Sequence, residues 1–219
     1  MKRYAGVVAV LGLLLALILA LGVDSTVPAA QRSQLTVPAA LVTALLGLLG
    51  VILLERTGFP GIWDASIPLR RKLLIPLSLG LAFGVAFMLL RLFHFLPTLE
   101  GPPFPSSIPY FLYGGIVSEI LFRLFPMPLL VWLISNLLLQ GRGEDPASWA
   151  AAVLSSLIEP LSQVGAMVML GLTGAPGMAF VFLLVFSANL VQGRLFRTSG
   201  LGASLVMRLM FYSLWHIIG

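Results

Sequence analysis

Apolar positions run along this chain in long blocks rather than alternating with polar ones. Seven blocks can be delimited: Ala5 to Val23, Val37 to Leu54, Leu73 to Leu90, Ile108 to Leu139, Trp149 to about Leu170, Gly177 to Gly193 and Leu201 to Ile218. Runs of this length match the hydrocarbon core of a bilayer, which takes ~20 helical residues to cross. The pattern predicts an all-α, polytopic transmembrane bundle of about seven helices in a single domain, 1–219. The block from Ile108 to Leu139 is too long for one straight span and contains Pro126 and Pro128, which predicts a broken helix there. The first block follows Met1-Lys2-Arg3-Tyr4 and exceeds the apolar core of a signal peptide. It reads as an uncleaved helix, with a cleaved leader over residues 1–30 as the alternative.

Composition removes the soluble classes. Only 10% of the residues are charged and 59% are hydrophobic, against about 25% charged in soluble domains. The 13 Lys and Arg against 8 Asp and Glu lie mostly between blocks, above all Arg56, Arg70, Arg71 and Lys72, then Arg194 and Arg197. By the positive-inside rule the N-terminus, the 55–72 loop, the 140–148 loop and the turn at Arg194 and Arg197 face the cytoplasm. The Glu100 loop and the C-terminus then face outward, and the expected location is a prokaryotic plasma membrane. No basic stripe is interleaved with aromatics, so membrane lipid is the expected partner and nucleic acid is not. The absence of cysteine excludes disulfides, thiolate metal sites and a cysteine nucleophile.

Charge inside the blocks is rare and needs a reason, because Asp, Lys or Arg at mid-helix costs about 2.5–3.5 kcal/mol on insertion scales. Glu119 and Arg123 lie four apart on the fourth block, as do Glu159 and Gln163 on the fifth. Arg208, Tyr212 and His216 follow the same spacing on the last. Residues four apart share one helix face, so three helices each carry a polar stripe. Pointing the three at one interior sets two carboxylates against two guanidiniums, a neutral and therefore cheaper burial. A zinc site needs three or four suitable ligands. Here the two arginines would repel a cation, so neither metal nor cofactor is expected.

At these residues the chain resembles the CAAX protease and bacteriocin-processing (CPBP) family of intramembrane endopeptidases. Tyr113-Gly114-Gly115-Ile116-Val117-Ser118-Glu119-Ile120-Leu121-Phe122-Arg123 is similar to the family's first motif, Glu-Glu-x-x-x-Arg after a Gly-rich helix start. Leu154-Ser155-Ser156-Leu157-Ile158-Glu159-Pro160-Leu161-Ser162-Gln163 is similar to the second motif, Phe-x-x-x-His, and Arg208 and Tyr212 fall on the third, His-x-x-x-Asn or Asp. The segment from Gly193 to Leu201 resembles the turn before the family's last helix. The resemblance covers roughly residues 70–219, leaving the helices at 5–23 and 37–54 as accessory. It implies an endopeptidase acting on a prenylated or membrane-inserted peptide. The residues depart from it where water is activated: Ser118 replaces the leading Glu, and Gln163 and Arg208 replace both His.

Three readings stay open. In a divergent peptidase, Glu119 or Glu159 is the general base toward a water also held by His216, with Ser118, Arg123, Gln163, Arg208 and Tyr212 supporting the site. In a catalytically inactive relative, Glu159 and Arg208 form a structural ion pair and the protein is a membrane scaffold or binding protein. In a transporter or proton relay, the Glu and His residues line an ion path. Bland roles stand beside these: Glu159 serving backbone groups freed by Pro160, and His216 and His94 sitting at the headgroup level. Asn136 and Asn189 are expected to be hydrogen bonders between helices.

Overall fold

The computed structural model describes residues 2–22, 27, 32, 35–93, 102–140, 144–169, 171 and 174–214. Among them the regular structure is helical throughout, in seven helices. They are α1 (Lys2–Gly22), α2 (Val37–Arg56), α3 (Arg70–Leu74 leading into Ile75–Leu92), α4 (Ser107–Glu119 continuing to Leu138), α5 (Glu144–Met169), α6 (Ala175–Ser199) and α7 (Leu201–Tyr212). Five of them, α2 to α6, are long and apolar enough to cross a membrane. The chain is a multi-pass membrane protein.

Its surface agrees with that environment. Leu41, Leu45, Leu49 and Ile52 are exposed along one side of α2, and Leu81, Val85, Leu89 and Leu92 along one side of α3. Each set repeats every three or four residues, a single helix face. Contiguous apolar stripes of this size are rare on water-facing proteins and cost nothing against lipid. α4 is the central helix: half of its most apolar window is buried, against 22% for α3. It packs on α1 and α2 with one side and on α5 and α7 with the other, while α6 joins α5 to α7 and α3 closes over α7.

Local sequence accounts for the elements. Thr36 caps α2 by accepting a hydrogen bond from the Ala39 amide at 3.3 Å, and Pro38 occupies the first turn. The expected interruption of α4 falls at Pro126, and the chain stays wound across it: regular α turns stop at Glu119 and resume at Pro126. Pro126 lacks an amide proton and its ring would strike the carbonyl four residues back. The helix widens instead into a π turn, Ile120–Leu124, closed by the Phe125 amide on the Ile120 carbonyl at 3.1 Å. The same solution precedes Pro76, where the Ile75 amide reaches the Arg70 carbonyl across the π turn Arg70–Leu74. α5 likewise runs unbroken through Pro160. It starts at Glu144, earlier than the apolar block predicts, and α6 runs past Gly193 to Ser199. Polar residues at those ends suit a helix: Asp145 lies in the first turn of α5 and Arg197 in the last turn of α6, each favourable to the helix dipole.

Close approaches through glycine set the packing around α7. A Cβ on Gly80 would sit 2.4 Å from the Met207 carbonyl oxygen, so α3 and α7 touch backbone to backbone there. At the α6–α7 turn Gly200 has φ +85°, and a Cβ would lie 2.4 Å from the Gly61 carbonyl oxygen. The 57–69 loop is thereby fastened under this turn, with the Gly202 amide donating to the Ile62 carbonyl at 2.7 Å. Lys72 holds the loop from its other side, donating to the Asp64 carbonyl at 2.8 Å and standing 5.1 Å over the Trp63 ring. In that loop Ser66 donates to the Asp64 carboxylate from its hydroxyl and its amide, which holds the carboxyl below its ordinary range.

Candidate functional site

The polar stripes converge, and four helices contribute rather than three. Glu119 and Arg123 come from α4, Glu159 from α5, Asn189 and Gln192 from α6, and Ser204 and Arg208 from α7. The π turn after Glu119 carries Arg123, so the deviation forced by Pro126 lies within the site itself.

Arg208 is the hub. Its Nη1 and Nη2 donate in parallel to the two oxygens of Glu159 at 2.9 and 2.8 Å, the fork geometry that makes Arg–carboxylate pairs strong. Its Nε donates to Glu119 Oε1 at 2.8 Å, and Nη2 also reaches Asn189 Oδ1 at 3.1 Å and Gln192 Oε1 at 3.2 Å. Nη1 donates in addition to the Tyr212 hydroxyl at 3.0 Å, and the guanidinium carbon stands 5.5 Å from the Tyr212 ring centre. Every nitrogen of Arg208 is engaged.

Arg123 is the second cation and is less completely held. It donates from Nη1 to Glu119 Oε1 at 3.1 Å and from Nη2 to Gln192 Oε1 at 2.5 Å and to Asn189 Oδ1. Its Nε has no hydrogen-bond partner among the described residues. A buried donor left that way costs about 1–3 kcal/mol, so the better-organised half of the network is Arg208 with Glu159.

Every carboxylate oxygen is engaged. Glu119 Oε1 accepts from both arginines, and Oε2 accepts from the Ser204 hydroxyl at 2.5 Å. Both Glu159 oxygens face Arg208, and Gln163 Nε2 adds a contact to Oε1 at 3.4 Å. Glu119 and Arg123 retain 1% of their accessible surface, Arg208 2% and Glu159 6%. Two negative and two positive groups cancel, which removes the largest cost of taking them out of water. What remains is a buried, charge-balanced, four-helix ionic cluster.

Against the sequence reading, Glu119, Arg123, Glu159, Gln163, Arg208 and Tyr212 are brought together. Glu159 spends its carboxylate on Arg208 and not on the backbone freed by Pro160. Ser118 is half-buried and joins none of these bonds; one residue from Glu119, it points about 100° away around the helix. His216 and His94 lie outside the described residues. Gln192 and Ser204 were not foreseen, and Asn189 was foreseen only as a hydrogen bonder. Ser204 had a legible signal, since it stands four residues before Arg208 and extends that stripe backward. Gln192 had a weaker one, three residues after Asn189 on the same face of α6.

No protein-family model, curated protein or solved structure matches this chain.

Proposed function

We propose that this chain is a non-hydrolytic relative of the CPBP membrane endopeptidases, a membrane scaffold whose central charges lock helices together instead of activating water. The observation that carries the reading is the engagement of Glu119 and Glu159: all four carboxylate oxygens accept hydrogen bonds from Arg123, Arg208 or Ser204. A general base must reach the proton it removes, directly or through one water. Each of the four carboxylate oxygens already holds a guanidinium or hydroxyl donor, so a base role would require one of these bonds to give way. The positions that would activate water by resemblance carry Ser118, Gln163 and Arg208, none of them a base at neutral pH.

Under this reading the partner class implied by the resemblance, a prenylated or membrane-inserted peptide, is held and not cut. The membrane is a prokaryotic plasma membrane, and the end of the bundle carrying Arg56, Arg70, Arg71, Arg194 and Arg197 faces the cytoplasm, as positive charge favours. The alternative is the divergent peptidase. It requires the ion pairs to open so that Glu119 or Glu159 meets water.

The two are separated by incubating the protein in liposomes with a quenched farnesylated peptide. Hydrolysis no faster than that of Glu119→Gln and Glu159→Gln supports the scaffold. Cleavage by the wild type that disappears in a Glu159→Gln protein of unchanged melting temperature establishes the peptidase.

A further inference from the structure

At the basic end of the bundle a cleft opens between the start of α5 and the end of α6, lined by Asp145, Ser148, Trp149, Gly193, Arg194 and Arg197 among others. Arg194 and Arg197 are three residues apart and so share a helix face. They are held in different ways. Arg197 is fixed from behind: Nε donates to the Ser148 hydroxyl at 3.2 Å, Nη1 donates to the Gly58 carbonyl at 3.2 Å, and the guanidinium lies 5.1 Å over the Phe59 ring. Among the described residues the counter-charge to its Nη2 is Asp145, at 4.0 Å, and that carboxylate is 95% exposed. An ion pair so long and so wet contributes little. Arg194 lies 5.2 Å over the ring of Trp149 and makes no side-chain hydrogen bond or ion pair with the described residues.

Among the described residues the cleft thus presents two guanidiniums, one anchored and one stacked, with donors that have no partner there and one weakly engaged carboxylate. Guanidinium forks match the oxygens of a phosphate. Its position decides the source of that phosphate. α5 and α6 are both long enough to cross the membrane, and the cleft lies where they end. Trp149, 51% exposed beside it, is the residue type that settles at the headgroup level. We propose that this cleft binds the phosphate headgroup of an anionic phospholipid, with Arg194 and Arg197 as its ligands. Arg70 and Arg71 are exposed and carry the same charge at the same end, but among the described residues no aromatic ring or side-chain hydrogen bond organises their guanidiniums. They provide the comparison that separates a built site from diffuse positive charge.

The test is native mass spectrometry of the full chain released from mixed micelles holding equal phosphatidylglycerol and phosphatidylcholine. The wild type is expected to retain phosphatidylglycerol preferentially. Arg194→Gln, which surrenders no side-chain hydrogen bond among the described residues, is expected to lower that preference about fivefold. Arg197→Gln should act in the same direction, with melting temperature recorded because it also releases Gly58. Arg70→Gln with Arg71→Gln should leave the preference unchanged. Equal retention by Arg194→Gln and wild type overturns the site, as does an equal loss in the Arg70 and Arg71 variant. Displacement of the lipid by millimolar inorganic phosphate overturns the lipid as its ligand and leaves a soluble-anion site.

Discussion

Arg208 shows why residue identity, and not charge alone, decides the centre of this protein. Its guanidinium serves Glu159 with two parallel bonds while Nε turns to Glu119. An ammonium group has three donors but no planar fork. Arg208→Lys keeps the charge and is expected to lose about 2 kcal/mol, in the range of one hydrogen bond to a charged group, read as a lower melting temperature in detergent. An unchanged melting temperature would show that charge balance alone suffices. The cluster was legible in sequence to the extent that it is ionic. Glu119, Arg123, Glu159 and Arg208 stand out because a charge in an apolar block is expensive. Gln192 and Ser204 do not, since neutral polar residues are tolerated in spans and their hydrogen bonds average only ~0.6 kcal/mol there. The fourth helix of the cluster was therefore hidden, α6 bringing only amides to it.

At the scale of elements, block length identified the seven helices but not their ends or contacts. The ends move outward because polar residues complete a helix that hydropathy alone truncates, as at Glu144 and Ser199. Pro126 marks the interruption of α4 as its sequence predicts, and a π turn, closed by the Phe125 amide on the Ile120 carbonyl, carries the chain across it. Contacts depend on glycines that look alike in sequence. Gly80 lies against the Met207 carbonyl, while Gly165 on α5 has nothing within 4 Å of where a Cβ would stand. Gly80→Ala is expected to push α3 from α7 and cost about 1–3 kcal/mol by overpacking. Gly165→Ala should be neutral or gain up to ~1 kcal/mol from helix propensity. Thermal melts of the two variants check this, and equal effects would contradict the backbone contact.

Taken whole, the molecule is held at two levels. At the basic end the 57–69 loop is fastened to the α6–α7 turn through Ile62, Gly58 and the Phe59–Phe196 contact, whose ring centres are 4.9 Å apart. Within the span region the ionic cluster ties α4, α5, α6 and α7 to one point. Buried pairs of this kind fix register more than they add stability, because well-packed apolar replacements often do as well. Leaving one partner alone is the costly change, about 3–5 kcal/mol. The most direct measurement is consequently a double-mutant cycle on thermal stability in detergent with Glu159→Gln, Arg208→Met and both together. A structural pair predicts that each single change lowers the melting temperature by roughly 10 °C, at about 2–4 °C per kcal/mol for a chain of this size. The double variant should recover most of that loss. Single variants that melt like the wild type, or a double variant no more stable than either single, would contradict the account.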